Sequence, residues 1–204
     1  MQSDCTLSCP VTAEAPDSRG ATSDELLIQS IARGDRRAMQ VLFGRHNVRG
    51  YRFVMRLLGD AALAEDLVSE VFLEVWRKAG RFEARSQVST WLLAIARYKA
   101  ISQVRNRSMD QLDEQMAETI EDPSDNPEEI MAKRDRNDLL RNCLGKLSSA
   151  HREIIDLIYY HEKSMHEIAN IMQIPEATVR TRIFYARKQL AELLHAHGIT
   201  RVDQ

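Results

Sequence analysis

Residues 164–188 read SMHEIANIMQIPEATVRTRIFYARK, a pattern that fits two helices meeting at a turn. Ser164 can cap a short helix, with Glu167 three residues on as the reciprocal partner of a capping box. Ile168, Ala169 and Met172 then fall on its inward face. Gln173-Ile174-Pro175 breaks the period, and a proline is at home in the first turn of the helix that follows. That second helix turns Val179 and Ile183 inward at an i, i+4 spacing. Its other side carries Thr178, Arg180, Thr181, Arg182, Arg187 and Lys188. The arrangement suits a helix-turn-helix, whose second helix lies in the major groove with base-reading side chains near its start. Arginine can pair bidentately with guanine, and threonine can meet bases or phosphates. An ordinary αα-hairpin with a solvated basic face is the plainer alternative. Gln173 stands where such turns often have glycine.

Upstream, the same helical periodicity recurs. Thr22-Ser23-Asp24-Glu25 offers a capping start, and no proline follows until after Arg107. Leu27 and Ile31, Val41 and Leu42, and Tyr51, Val54, Met55 and Leu58 mark successive apolar faces. Gly34-Asp35 and Gly59-Asp60 punctuate them as stops and new caps. The clearest helix runs from Asp60 to about Lys78, with Leu63, Leu67, Val68, Val71, Phe72 and Val75 on one stripe. A connector from Gly80 to Ser89 follows, and Thr90 is expected to cap a helix from Trp91 to about Arg105. A second helical block starts near Ile130. Leu139, Leu140, Cys143, Leu144 and Leu147 form one of its stripes, and Ile154, Ile155, Leu157 and Ile158 another.

The chain has 204 residues, room for one domain or two small ones. Hydrophobic residues at 44% supply a core, and 28% charged residues point to a soluble globular protein. Aromatics at 6%, with few glycines and prolines, disfavour a many-turned all-β fold. No apolar run is long enough to span a membrane, and no secretory signal stands at the start. Cys5, Cys9 and Cys143 are an odd number, which suits a reducing cytoplasm, and no histidine–cysteine set has zinc-site spacing. Cys143 reads as a small core residue, while a redox role for Cys5 and Cys9 stays open.

The net charge of −2 hides a division. Residues 1–107 carry +4, residues 108–129 carry nine acids and no base, and residues 130–204 carry +3. Such a like-charged block repels itself and resists folding. The expected organisation is all-α. A disordered arm (1–22) precedes a first helical domain (23–107). A flexible acidic linker (108–129) leads to a second helical domain (130–197) with the helix-turn-helix, and a tail (198–204) ends the chain.

Together the two blocks resemble the bacterial sigma factors of the sigma-70 family. Asp66-Leu67-Val68-Ser69-Glu70-Val71-Phe72-Leu73-Glu74-Val75-Trp76 resembles their D-L-x-Q-E-x-F-x-x-x-W helix. Ser89-Thr90-Trp91-Leu92-Leu93-Ala94-Ile95-Ala96-Arg97 resembles the x-x-W-L-x-x-I-A-R motif that follows it. Leu147-Ser148-Ser149-Ala150-His151-Arg152-Glu153-Ile154-Ile155 resembles the L-P-x-x-x-R-E-V-F start of their last domain, and the helix-turn-helix comes next. Four motifs in this order, with no further domain, match the compact extracytoplasmic-function group. Ser69, Ser148 and Gln173 depart from the usual Gln, Pro and Gly.

The resemblance implies a protein that binds core RNA polymerase and makes it promoter-specific, and that is not itself an enzyme. Asp66, Glu70 and Glu74, at i, i+4 and i+8, would face basic polymerase residues; a solvated helix face is the alternative. Leu67, Phe72 and Trp76 read as core rather than interface, with Trp76 open to either role. The loop with Phe82, Arg85, Ser86 and Gln87 would receive a flipped base of the minus-ten element, and such a site must offset the lost stacking. Arg97, Lys99, Arg105 and Arg107 would hold the open strand's phosphates. Thr178, Arg180, Thr181, Arg182, Arg187 and Lys188 would read the minus-thirty-five element. The acidic linker would thread the polymerase's basic channel. The resemblance also implies an anti-sigma protein as partner, with no cofactor, metal, membrane insertion or small-molecule substrate. A helix-turn-helix regulator outside the family is a rival that the 66–76 and 90–97 matches disfavour. A sigma mimic, which would need no DNA-reading surface, is another.

Overall fold

A computed structural model describes residues 22–110 and 139–197. Among the described residues every regular element is helical. The helices are α1 (Asp24–Ala32), α2 (Arg36–Leu58), α3 (Ala61–Lys78), α4 (Val88–Asp110), α5 (139–145), α6 (Ser149–Tyr159), α7 (Met165–Met172) and α8 (Glu176–Ala196). A 3₁₀ turn at Ala79–Arg81 links α3 to the loop before α4.

Local chemistry explains most boundaries. Asp35 caps α2 by accepting from the amides of Arg37 and Ala38, and Asp60 caps α3 through Leu63. Each satisfies helix-end donors that would otherwise lack partners. Gly59 ends α2 in the left-handed region at φ 70°, which glycine enters without steric cost. Ser164 and Glu167 form the expected capping box on α7. Ser148, in the position where the family pattern has proline, caps α6 through the amide of His151.

Two expected starts shift, and one expected core position moves. Ser23, one residue after Thr22, caps α1 through Leu26. The chain becomes helical at Val88, so Thr90 lies inside the first turn of α4, buried, and caps nothing. The backbone carbonyl of Gln87 receives the amides of Thr90 and Trp91 there. Val41, expected on the apolar face of α2, is exposed, and neighbouring Leu42 takes the core position. The helix α4 also continues to Asp110, three residues past the expected domain end. Cys5, Cys9, the N-terminal arm up to residue 21, residues 111–129 of the acidic linker and the tail lie outside the described residues.

The first domain packs α1, α3 and α4 around α2, with Leu42, Phe53, Val54 and Val75 fully buried. The second packs α6, α7 and α8 around Ile154, Leu157, Ile168 and Val179. The apolar stripes expected for α3 and α6 face these cores, and Cys143 is buried. The two domains also touch: α7 lies against α4, and α6 approaches α2. Sequence periodicity carries no information about that closure.

Gln173 ends α7 at φ 55°, ψ 46°, the left-handed conformation that explains why a glycine is common at this turn. Its side-chain amide donates to the carbonyl of Asn170 at 2.6 Å, which helps hold the turn. Gln173→Ile should destabilise the chain by about 1–2 kcal/mol, since a branched Cβ fits this region poorly. Gln173→Gly should leave stability equal or higher by up to ~1 kcal/mol. Urea unfolding of the two variants checks the order; equal loss in both would show that the side-chain hydrogen bond, not the backbone, sets the turn.

Candidate polymerase and nucleic-acid interfaces

On α3, Asp66 and Glu70 are exposed and Glu74 is half-buried, all on the side away from the core. Lys78 donates to Glu74 at 2.6 Å. From α4, Lys99 reaches both Glu70 (3.1 Å) and Glu74 (3.2 Å). The Lys78 bond, followed by Lys99, holds the Glu74 carboxyl below its ordinary range against the opposing effect of burial. Burial by itself would lower the Lys99 ammonium, but its bonds to Glu70 and Glu74 raise it. Lys99, expected among the strand-holding cations, is thus drawn into the acidic face. Leu73 stands beside these carboxylates, 55% exposed. Sequence reasoning passed over it, although it lies three residues after Glu70 and seven after Asp66 on the same helical face.

The loop before α4 is built on stacked rings. Phe82 and Trp91 lie 5.0 Å apart between centroids at 42°, so Phe82 is half-buried against the helix. Arg85 points outward and pairs with Glu83 at 2.6 Å, both in solvent, an arrangement that adds little stability. Ser86 is half-buried and Gln87 exposed. Along α4, Leu92, Leu93, Ala96 and Ala100 face the core. The outward side carries Trp91, Tyr98 and Arg105 at steps of seven, with Tyr98 73% exposed. Tyr98 was missed in the sequence; that seven-residue spacing was the signal available.

Arg97 does not face open water. Its Nε donates to Glu153 of α6 at 2.5 Å, with both side chains largely buried. Beside this pair, Lys163 donates to Ser89 Oγ (2.7 Å), Gln87 Oε1 (3.3 Å) and Glu167 Oε1 (3.2 Å). The Thr90 hydroxyl donates to the same Glu167 oxygen at 2.5 Å. Burial would raise the Glu167 carboxyl, but the bonds from Thr90, Ser164 and Lys163 outweigh it and hold it at about 2. A third contact joins Arg56 of α2 to the buried Asp156 of α6, and Arg56 also stacks over the Tyr160 ring at 3.8 Å. His161 meets the Phe53 ring edge-on at 5.4 Å. None of these cross-domain partners was foreseen; they lie 56 to 108 residues apart in sequence.

On α8, Arg180, Thr181, Arg187 and Lys188 are exposed, while Thr178 and Arg182 are half-buried. Thr181 donates its hydroxyl to the carbonyl of Ala177 at 3.0 Å. Arg180, Arg187 and Lys188 border a groove floored by Met165, Ile183 and Phe184. The helix therefore presents cations flanking apolar surface, where sequence reasoning had seen cations and threonines without the apolar floor. Among the described residues no cluster of three or more His, Cys, Asp or Glu could hold a metal ion, and no helix is long and apolar enough to cross a membrane.

Comparison with known proteins matches Sigma-70 region 2 over residues 42–109 and Sigma-70, region 4 over residues 143–192. The chain is 30% identical over 175 residues to the ECF RNA polymerase sigma factor SigL of Mycobacterium tuberculosis, covering 85% of this chain and 98% of that one. It is 30% identical over 179 residues to SigK of Mycobacterium ulcerans, covering 85% and 96%. Among solved structures, CnrH, in complex with the cytosolic domain of CnrY, has a similar fold at TM-score 0.64 and 24% identity, over 86% of this chain and 99% of that one. RpoE of Bartonella quintana, solved with the anti-sigma factor NepR, matches at TM-score 0.63 and 25% identity, over 79% and 98%.

The Glu167 carboxyl makes a pH prediction. Its folded value, about 2, lies below its ordinary 4.5, so its contribution is present above pH 4.5 and is lost as pH falls toward 2. Glu167→Gln should lower stability at pH 7 by about 1–3 kcal/mol, the worth of hydrogen bonds to a charged group. Denaturant titrations of parent and variant should converge as pH drops through that window. A constant gap down to the lowest pH would mean that shape, not charge, is what Glu167 supplies.

Proposed function

The chain belongs to the ECF sigma factors of the sigma-70 family, and from that membership we propose how its surfaces divide the work. It binds core RNA polymerase and directs promoter-specific transcription initiation. The observation that carries this is the two sigma regions in order, together with 30% identity across 98% of a curated sigma factor. The family acts as a specificity subunit, with the chemistry left to the polymerase; in our reading this chain likewise holds no catalytic residues and works in the cytoplasm, where core polymerase and promoter DNA are.

In this reading residues 23–107 form the polymerase-gripping and minus-ten domain, and residues 130–197 the minus-thirty-five domain. Asp66, Glu70 and Glu74 on α3 form the face offered to basic polymerase residues. Leu73 adds an apolar contact at its centre, since interfaces draw most energy from a few desolvated side chains inside a polar rim. Ser86, Gln87 and the Phe82 ring frame the pocket for an unstacked base, and Arg85 guides the strand to it. Arg97 and Arg105 hold phosphates along α4, and Tyr98 between them offers a ring for a base to stack upon. Lys99 serves differently: its bonds to Glu70 and Glu74 order the acidic face.

On α8, Arg180 and Arg182 are the proposed base readers, with Thr178, Thr181, Arg187 and Lys188 contacting the backbone. An anti-sigma protein is the proposed regulator, as NepR is for the Bartonella RpoE. The groove bordered by Arg187 and floored by Phe184 and Met165 suits an amphipathic helix with acidic flanks.

Reconstituted transcription on genomic fragments tests the reading. The chain with core polymerase should initiate at discrete promoters that core alone ignores. Asp66→Lys with Glu70→Lys should weaken core binding while helicity stays intact, because surface charge changes alter stability within about 0.5 kcal/mol. Arg180→Ala should cost ~1–3 kcal/mol and relax specificity at one position if it reads a base. A folded chain that binds core yet selects no promoter would sink the assignment.

A further inference from the structure

Between α2, α3, α4 and the turn that carries His161 and Lys163 lies a small cavity of about 40 Å³. Its lining is divided by chemistry. One wall is apolar, formed chiefly by Val68, Val71, Phe72, Leu93 and Ala96, all buried. The polar lining is His46, Arg49, Ser89, His161 and Lys163, and no carboxylate is among the lining residues. Each of those five side chains can donate a hydrogen bond. Arg49, which is exposed, stands at the mouth. A mostly apolar enclosure with a few convergent polar groups is the form of a small-molecule site.

The charges decide what it would hold. His46 is engaged by Asp24 through Nε2 at 2.6 Å. Lys163 is engaged by Glu167 at 3.2 Å and by the Ser89 hydroxyl at 2.7 Å. His161 Nε2 lies 3.4 Å from Asp156 Oδ2 without a hydrogen bond. Arg49 has neither hydrogen bond nor ion pair among the described residues. One uncompensated cation therefore borders a cavity whose remaining wall is apolar. A guanidinium fork matches a carboxylate with two parallel hydrogen bonds. We propose that this cavity binds a short-chain monocarboxylate, such as acetate or propionate, with its carboxylate on Arg49 and its alkyl end against Val71, Phe72 and Leu93. The acid is a ligand of the chain, not a substrate.

Size and backbone support the same class. A cavity needs ~10–15 Å³ to hold one water, so this one takes about three groups of that size. A two- or three-carbon acid suits it. An organic phosphate or a long acyl chain is too large, and inorganic phosphate would leave the apolar wall unused. Gly50 also lines the cavity, in the middle of α2, where glycine weakens a helix relative to alanine. A Cβ there would meet nothing nearer than a methyl carbon of Val68, at 4.0 Å. No neighbouring side chain requires the glycine; what it leaves is room beside the apolar wall. The walls come from both domains, so an occupant and the domain contact stabilise each other by mass action.

Saturation-transfer NMR and calorimetry of the full chain with sodium propionate, against sodium chloride at equal ionic strength, test the site. Propionate should bind saturably with a Kd on the order of 1 mM, as so small a ligand allows. Acetate should bind more weakly and hexanoate not at all. Propionamide keeps the shape and lacks the charge, and should bind at least about ten-fold more weakly, the loss of a charge-assisted hydrogen bond. Arg49→Met, at an exposed position, should show the same loss with circular dichroism unchanged. Gly50→Leu should abolish binding by filling the cavity; if that variant does not fold, Gly50→Ala narrows the same space with a better helix former and should weaken binding. Failure of propionate to saturate overturns the proposal outright. Equal affinity for propionamide, or full affinity in Arg49→Met, reveals an apolar hole and overturns the carboxylate. Equal affinity for hexanoate overturns the size assignment. Full affinity in the folded Gly50 variant puts the binding elsewhere and overturns the cavity.

Discussion

Between α4 and α6 an arginine and a glutamate lie together largely out of water, Arg97 Nε 2.5 Å from Glu153 Oε1. Neither charge could be buried alone, because stripping an ion of water costs several kcal/mol unless a partner and further hydrogen bonds replace the solvent. That constraint governs the neighbourhood. Lys163, almost as buried, must spread its three donors over Ser89, Gln87 and Glu167. Glu167 must in turn be held by Thr90 and Ser164. Such a network favours one geometry sharply, since half-satisfied it would be worse than none.

The helix α4 pays for this with its surface. One side, Leu92, Leu93, Ala96 and Ala100, belongs to the first domain's core. A second, through Arg97, belongs to the seam. A third, through Lys99, leans on the acids of α3. What remains is the outward line of Trp91, Tyr98 and Arg105, which no other element covers completely. A single helix therefore joins the acidic face, the proposed strand-holding face and the domain contact.

The second domain divides differently. Its apolar faces are used up by α6, α7 and α8 packing on one another, with Ile154, Leu157, Ile168 and Val179 at the centre. The far side of α8 is left with cations interleaved with Phe184 and Tyr185, which are 63% and 54% exposed. Apolar side chains left in solvent next to a basic stripe are of the mixed character that the proposed roles require, a polyanion and a helical protein meeting the same face in turn.

Most of the fold was legible in the sequence because it rests on local physics. Apolar residues at helical period mark α3, α6 and α7. Asp35, Asp60 and Ser164 cap helices because their side chains reach amides two or three residues on. Even the departure at Gln173 resolves locally, as a left-handed helix end. The family motifs were legible for the same reason, being short runs on single elements. What only the tertiary structure decided are the meetings between distant residues: Arg97 with Glu153, Lys99 with Glu70 and Glu74, Thr90 with Glu167. A basic residue reads alike in sequence whether it will meet DNA, polymerase or a carboxylate of its own chain. Its partner is set by which helix faces pack together, and no i, i+3 or i, i+4 rule extends across 56 residues.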